Sequence, residues 1–135
     1  MTTSSQVNNT GQLKFAFISM AIAVVLGALA AHALKTFLPP QKLESFQTAV
    51  RYQMIHSIAI ILVVLLAKNN FSVSNWSYRF FQWGIILFSG SIYVLSTLPL
   101  HSLVWTKWLG PVTPIGGVLF ILGWVFLALN ISKSE

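Results

Sequence analysis

Hydrophobic positions along this chain gather into four long stretches, at 15–34, 52–67, 80–98 and 112–131, with short polar segments between them. None of the four contains an acidic residue, and none carries Lys or Arg in its centre. A helix needs about 20 consecutive apolar residues to cross the hydrocarbon of a bilayer. The pattern therefore predicts an all-α membrane protein, a four-transmembrane-helix bundle with both termini on the same side. The expected helices run over 13–35, 41–68, 76–98 and 112–131, in a single domain spanning 13–135. Residues 1–12 (MTTSSQVNNTGQ) are polar and low in charge, and read as disordered.

The punctuation between stretches sets these bounds. Pro39 and Pro40 forbid continuation of the first helix. Residues 41–67 hold no Gly or Pro, so the second helix is about 40 Å long, more than the hydrocarbon requires. Its first turns (KLESFQTAVR) are expected in or above the headgroups, and Asn69–Asn70 stop it. Trp76, Tyr78, Trp105 and Trp108 stand where interfacial anchors belong. Pro99 ends the third helix, and Thr113–Pro114 reads as the N-cap and first position of the fourth. The first stretch also has the layout of a signal peptide, with Lys14 before it and an Ala-x-Ala at 31–33. Its apolar run exceeds the 7–15 residues of such peptides, so an uncleaved helix is expected.

Helix association in lipid relies on close backbone approach, because no hydrophobic force drives helices together there. Ser19, Ala23, Gly27 and Ala31 recur every four residues and form a stripe of small side chains on helix one. Gly116, Gly117 and Gly123 give helix four a looser version. The expectation is packing within the chain, with a face for homo-oligomers or a larger membrane complex as the other reading.

Composition narrows the partners. Hydrophobic residues make up 56% of the 135 positions and charged ones 7%, against about 25% charged in soluble domains. The formal charge of +6 raises nucleic acid as a partner. Yet the cations (Lys14, Lys35, Lys42, Arg51, Lys68, Arg79, Lys107, Lys133) are scattered singly at stretch ends. That placement suits anchors to the lipid bilayer, and no nucleic-acid partner is expected. They divide four against four between the two sides, so the positive-inside rule gives no orientation. Burial or pairing of Arg51 would tip the balance toward an N-terminus inside. The absence of Cys excludes disulfides and thiolate sites, and the acids are Glu44 and Glu135 alone.

Chemistry concentrates at one end of the predicted bundle. His32, His56 and His101 fall on the same predicted side, together with Glu44, Arg51 and Tyr52. Glu44, Thr48, Arg51, Tyr52 and His56 lie within an arc of roughly 140° on helix two. Gln82, Ser89, Tyr93 and Ser96 share a face of helix three. Polar groups in lipid face protein or a wet cavity, so both stripes are expected to look inward. His32, Arg51, Tyr52, His56 and Tyr93 then form a candidate ligand pocket near one interface. Three readings of it stay open: histidines neutral and packing helix ends, a haem or metal site between two histidines at similar depth, or a pocket for a quinone or phospholipid head. The cofactor is left unspecified, and no metal is assigned. Catalysis is not expected, because one non-terminal carboxylate and no nucleophile elbow leave little to build it from.

The ordered strings LGALAAHALK (26–35), FQTAVRYQMIHSIA (46–59), LFSGSIYVLS (87–96) and TPIGGVLFILGW (113–124) resemble domain-of-unknown-function family 423. These are small bacterial membrane proteins with a eukaryotic transmembrane relative. The resemblance covers roughly 26–127 and implies a four-helix protein of the bacterial inner or plasma membrane, with no established activity. Its motif positions fall on Gly27, His32, Arg51, Tyr52, His56, Ser89, Gly90, Ser91, Tyr93, Pro114, Gly116, Gly117, Gly123 and Trp124. The family's first motif reads closer to GAFGAH, where Leu29 and Ala30 stand here, a change of packing more than of chemistry. The function expected is that of an accessory membrane protein binding a lipid-like or redox small molecule or stabilising a partner. The alternative is a small transporter or proton-linked carrier acting as an oligomer, and a membrane-embedded lipid enzyme is the third possibility.

Overall fold

In a computed structural model of the chain, the described residues are 9–101 and 104–133. Helix α1 runs over Asn9–Ala31, α2 over Leu34–Phe37 and α3 over Pro40–Lys68. A second helical rod follows as α4 (Asn75–Gly84), a π turn (Ile85–Ser89) and α5 (Gly90–Ser96), and α6 (Val112–Asn130) completes the array. Two short strands, β1 (Phe71–Ser72) and β2 (Ser132–Lys133), pair antiparallel, with Ser72 opposite Ser132.

Three helices, α1, α3 and α6, are long and apolar enough to cross a membrane. The expected third span keeps helical dihedrals from Asn75 through Gly90, but the π turn divides it and its first turns carry Asn75, Ser77, Arg79 and Gln82.

Local chemistry explains the bounds. The residue before a proline is pushed out of the α region, and Leu38 is extended at φ −102°, ψ 140°. Pro40 takes the first position of α3, where its missing N–H costs nothing. At the other end Asn69 donates to Leu65 O at 2.8 Å, and Asn70 adopts φ 60°, the left-handed conformation that closes a helix. Ser74 caps α4 by accepting from Trp76 N at 3.2 Å.

Three expected bounds are corrected. Helix one begins at Asn9, inside the segment expected to be disordered, because Gln12 is already buried; residues 1–8 lie outside the described residues. It ends at Ala31, and the stretch to 35 restarts as the short α2. Thr113–Pro114 does not start α6: Pro111 precedes its first residue, and the Thr113 hydroxyl instead sits 2.6 Å from Ser91 Oγ. The side chain of Trp105, expected as an anchor, also lies outside the described residues, while Trp108 is 83% exposed.

The long elements alternate in direction. Ser19 meets Ser57 and Gly27 meets Val50 between α1 and α3. Ser89 meets Ala49, and Lys42 meets Leu95, between α3 and the second rod. Phe88 meets Gly116 and Phe81 meets Gly123 between that rod and α6. Helix α3 is the hub: half of its apolar window is buried, against 22% for α1 and α6. One core cluster joins Ala16, Ile60, Val63, Phe81, Ile85 and Phe120. A second, toward Pro40, joins Ala23, Ala30, Leu34, Phe46 and Val50.

The small residues divide by what they touch. A Cβ on Gly116 would collide with the backbone of Phe88, and one on Gly123 would lie 2.5 Å from the Phe81 ring. Gly84, which the sequence did not single out, is equally tight against Phe120. A Cβ on Gly117 would meet Phe88 only at ordinary contact distance, and one on Gly27 would lie 3.3 Å from Val50 Cγ1. Ser19 and Ala23 are buried, but Ala31 is exposed and drops out of the stripe. The buried face of α1 runs Gln12, Ala16, Ser19, Ala23, Ala30, with Leu34 beyond it. Spacings of four and three are those of a left-handed seam, not of a four-residue stripe.

Candidate functional site

Helix α3 presents two chemically different faces, and the polar residues of the apolar segments divide between them. Toward α1 and α5 lies a closed hydrogen-bond network centred on Gln53, which is 5% exposed. Its amide nitrogen donates to Ser19 O at 2.8 Å and lies 3.3 Å from Ser19 Oγ. Its amide oxygen accepts from the Tyr93 hydroxyl at 2.7 Å. Ser57 donates to Gln53 O at 2.7 Å, with Ser19 Oγ 2.8 Å away. Ser89 donates to Ala49 O at 2.9 Å and ties the π turn to the same helix. Hydrocarbon offers no water, so each group must be satisfied inside the protein, and these residues satisfy one another.

On the other side α3 and α6 are bridged by rings. His56 stacks on Phe120 with centroids 3.5 Å apart and an angle of 11° between planes. Tyr52 lies 4.7 Å from the Phe88 ring, and Trp124 4.9 Å from Phe81. The rings flank a groove of about 550 Å³ lined by Tyr52, His56, Phe88, Gly117, Phe120 and Trp124. Tyr52 and Trp124 form its rim, each about two-fifths exposed. No partner among the described residues holds the Tyr52 hydroxyl.

The state of His56 follows from its partners. Trp124 Nε1 can only donate, and it lies 3.2 Å from His56 Nε2. Nε2 is therefore an acceptor, and Nδ1 carries the proton, donated to Tyr52 O at 2.8 Å. Both nitrogens of a neutral ring are engaged. Metal or haem ligation through Nε2 would first have to displace Trp124. Among the described residues no group of three His, Cys, Asp or Glu stands close enough to hold a metal ion.

The five residues expected to share one pocket do not meet. Tyr52 and His56 line the groove, while Tyr93 belongs to the Gln53 network on the other face. Arg51 is exposed and donates to Thr48 Oγ1 at 2.9 Å. It is neither buried nor turned to Glu44, so the charge count stays balanced and the argument for an N-terminus inside lapses. His32 is exposed past the end of α1. The pairing of Gly27 with Val50 and of Ala30 with Phe46 puts it on the order of 15 Å from His56 along the axis, so the two histidines are not at similar depth. Most of the expected polar arc of α3 faces outward: Glu44, Arg51 and Tyr52 are exposed and only His56 is buried. The helix-three stripe does look inward at Ser89, Tyr93 and Ser96.

Gln53 and Ser57 were missed, although an amide inside an apolar segment is itself a signal, since it must find partners in the protein. The role of Trp124 as partner to His56 had no sequence signal beyond the resemblance.

The chain matches the family model described as "Protein of unknown function (DUF423)" over residues 26–117. It is 39% identical to a UPF0382 membrane protein of Haemophilus influenzae, over 87% of this chain and 90% of that protein. It is 36% identical to the UPF0382 membrane protein YwdK of Bacillus subtilis, over 86% and 91%. Identity to the UPF0382 inner membrane protein YgdD of Escherichia coli is 37%, over 87% and 86%. No solved structure matches the chain.

Proposed function

This chain belongs to the DUF423 family of membrane proteins of unknown function, and from that premise we propose that it is a four-crossing, non-enzymatic accessory protein of the cell membrane. Its groove between α3 and α6 takes a flat, lipid-soluble molecule. The second rod supplies the fourth crossing: 1.5 Å per residue over Asn75–Ser96 gives about 33 Å, enough for the hydrocarbon. The alternating directions and the β1–β2 ribbon support termini on one side.

The observation that carries the binding reading is the set of aromatic faces around the groove, with a Tyr52 hydroxyl at the rim that no described residue engages. Offset ring stacking favours a planar occupant, and the hydroxyl favours one with a carbonyl acceptor, the chemistry of a quinone head. A non-enzymatic role is supported by His56, whose nitrogens are both engaged. Glu44, the side-chain carboxylate among the described residues, is exposed away from the groove.

Fluorescence tests this reading. A short-chain quinone titrated into the detergent-solubilised protein should quench Trp124 saturably, and Trp124→Phe should remove the saturable part. Equal, non-saturating quenching of both proteins would overturn it.

A further inference from the structure

On the opposite side of the array, a second crevice of about 460 Å³ runs between α1 and α5 toward the Pro40 end. Its walls are Leu26, Leu29, Leu34, Phe46 and Val94, and its mouth is formed by Thr97 and His101. Two polar side chains converge there on the end of α5. Pro99 has no N–H to give the carbonyl of Leu95, and Lys42 Nζ takes that place at 3.3 Å. One residue away, His101 Nε2 lies 3.3 Å from Val94 O and 3.3 Å from Thr97 Oγ1.

The hydrogen bonds define what each group still offers. Thr97 spends its proton on Tyr93 O at 2.8 Å, so His101 Nε2 is the donor and Nδ1 holds a lone pair. That Nδ1 has no partner among the described residues, but it is buried, so it gives the crevice no acceptor. An ammonium has three donors, and the contact at Leu95 uses one. Lys42 also stands in the first turn of the 29-residue α3, the end where a helix favours anions. That turn has no acidic residue and no side-chain cap. His32, Lys35 and Arg51 belong to the same end.

We propose that this crevice holds one anionic phospholipid. An acyl chain lies along the leucines, Phe46 and Val94. The phosphate meets the Lys42 ammonium, at an end of the molecule that also carries Lys35 and Arg51. This site is separate from the α3–α6 groove and stands whether or not that groove binds anything.

The full chain in neutral detergent, offered equal amounts of phosphatidylglycerol and phosphatidylcholine with identical chains, tests it by native mass spectrometry. A charge-assisted bond to phosphate predicts about tenfold preferential retention of phosphatidylglycerol. Lys42→Gln keeps a donor for Leu95 and removes the charge, so it should erase the preference. Leu29→Trp, at a 42% exposed position, should block the crevice and lower retention of both lipids. Excess glycerol phosphate should displace neither. Equal retention of the two lipids, a preference that survives Lys42→Gln, or displacement by glycerol phosphate would overturn the proposal.

Discussion

Gly116→Ala offers a stringent test of the packing account. The added Cβ would lie 2.7 Å from both Cα and Cβ of Phe88, and closer still to its amide nitrogen. The nitrogen and Cα are backbone atoms of the π turn and fix the position of Cβ, so none of the three can rotate aside as a side-chain tip can. Restoring ordinary contact requires α6 and the second rod to part by about 1 Å, and overpacking of this kind costs about 1–3 kcal/mol. Gly90→Ala is the matched control. It sits on the same rod just past the π turn, and nothing lies within 4 Å of its Cβ position. There the better helix propensity of Ala should stabilise by about 0.5–1 kcal/mol. The two variants should therefore differ by about 1.5–4 kcal/mol, in opposite directions from the parent. Thermal unfolding in one detergent should separate their midpoints by at least about 5 °C. Equal midpoints would refute the close approach of Phe88 to Gly116, and with it the register of the second rod on α6.

Other consequences are equally direct. Tyr93→Phe should cost about 1 kcal/mol, near the range of hydrogen bonds between membrane helices. Combining it with Gln53→Leu should cost less than the two single losses added, because both remove one shared bond; additive unfolding energies would break the network model. His56→Phe keeps the stack on Phe120 but loses both hydrogen bonds, so it should retain more stability than His56→Ala in the same thermal assay. Ser72 and Ser132 face each other across the ribbon, so a Ser72→Cys, Ser132→Cys variant should oxidise readily to a disulfide, read as a gel shift free of background in a chain without Cys. Failure to cross-link would separate the C-terminal tail from the α3–α4 connection.

The sequence made the helices legible wherever hydrophobic length or a proline decided the matter. Helix α3 starts one residue before its expected position and ends where Asn69 and Asn70 stop it. The second rod was harder, because a π turn leaves no mark in composition: Ile85–Ser89 reads as ordinary apolar helix. The small-residue stripe was found on the correct helix with the wrong period. A run of small residues fits two periods equally well, and only the partner helix selects one. Ala31 is exposed while Ala30 is buried. The candidate site was legible as an inventory but not as a place. Helical arcs put Tyr52 near His56, which holds, yet Gln53 is one residue on and faces another helix. Whether Tyr93 joined one face or the other depended on the rotation of the second rod, which no arc on α3 encodes.

The central claim is that the Tyr52–His56–Trp124 groove is a binding site rather than a packing seam. Native mass spectrometry of the protein released from its own membrane tests it most directly, with Gly117→Leu as the comparison, since Gly117 lines the groove and meets Phe88 only at ordinary contact distance. The account predicts a discrete added mass on the parent that is missing from the folded variant. A bare parent, or the same mass on both proteins, would contradict it.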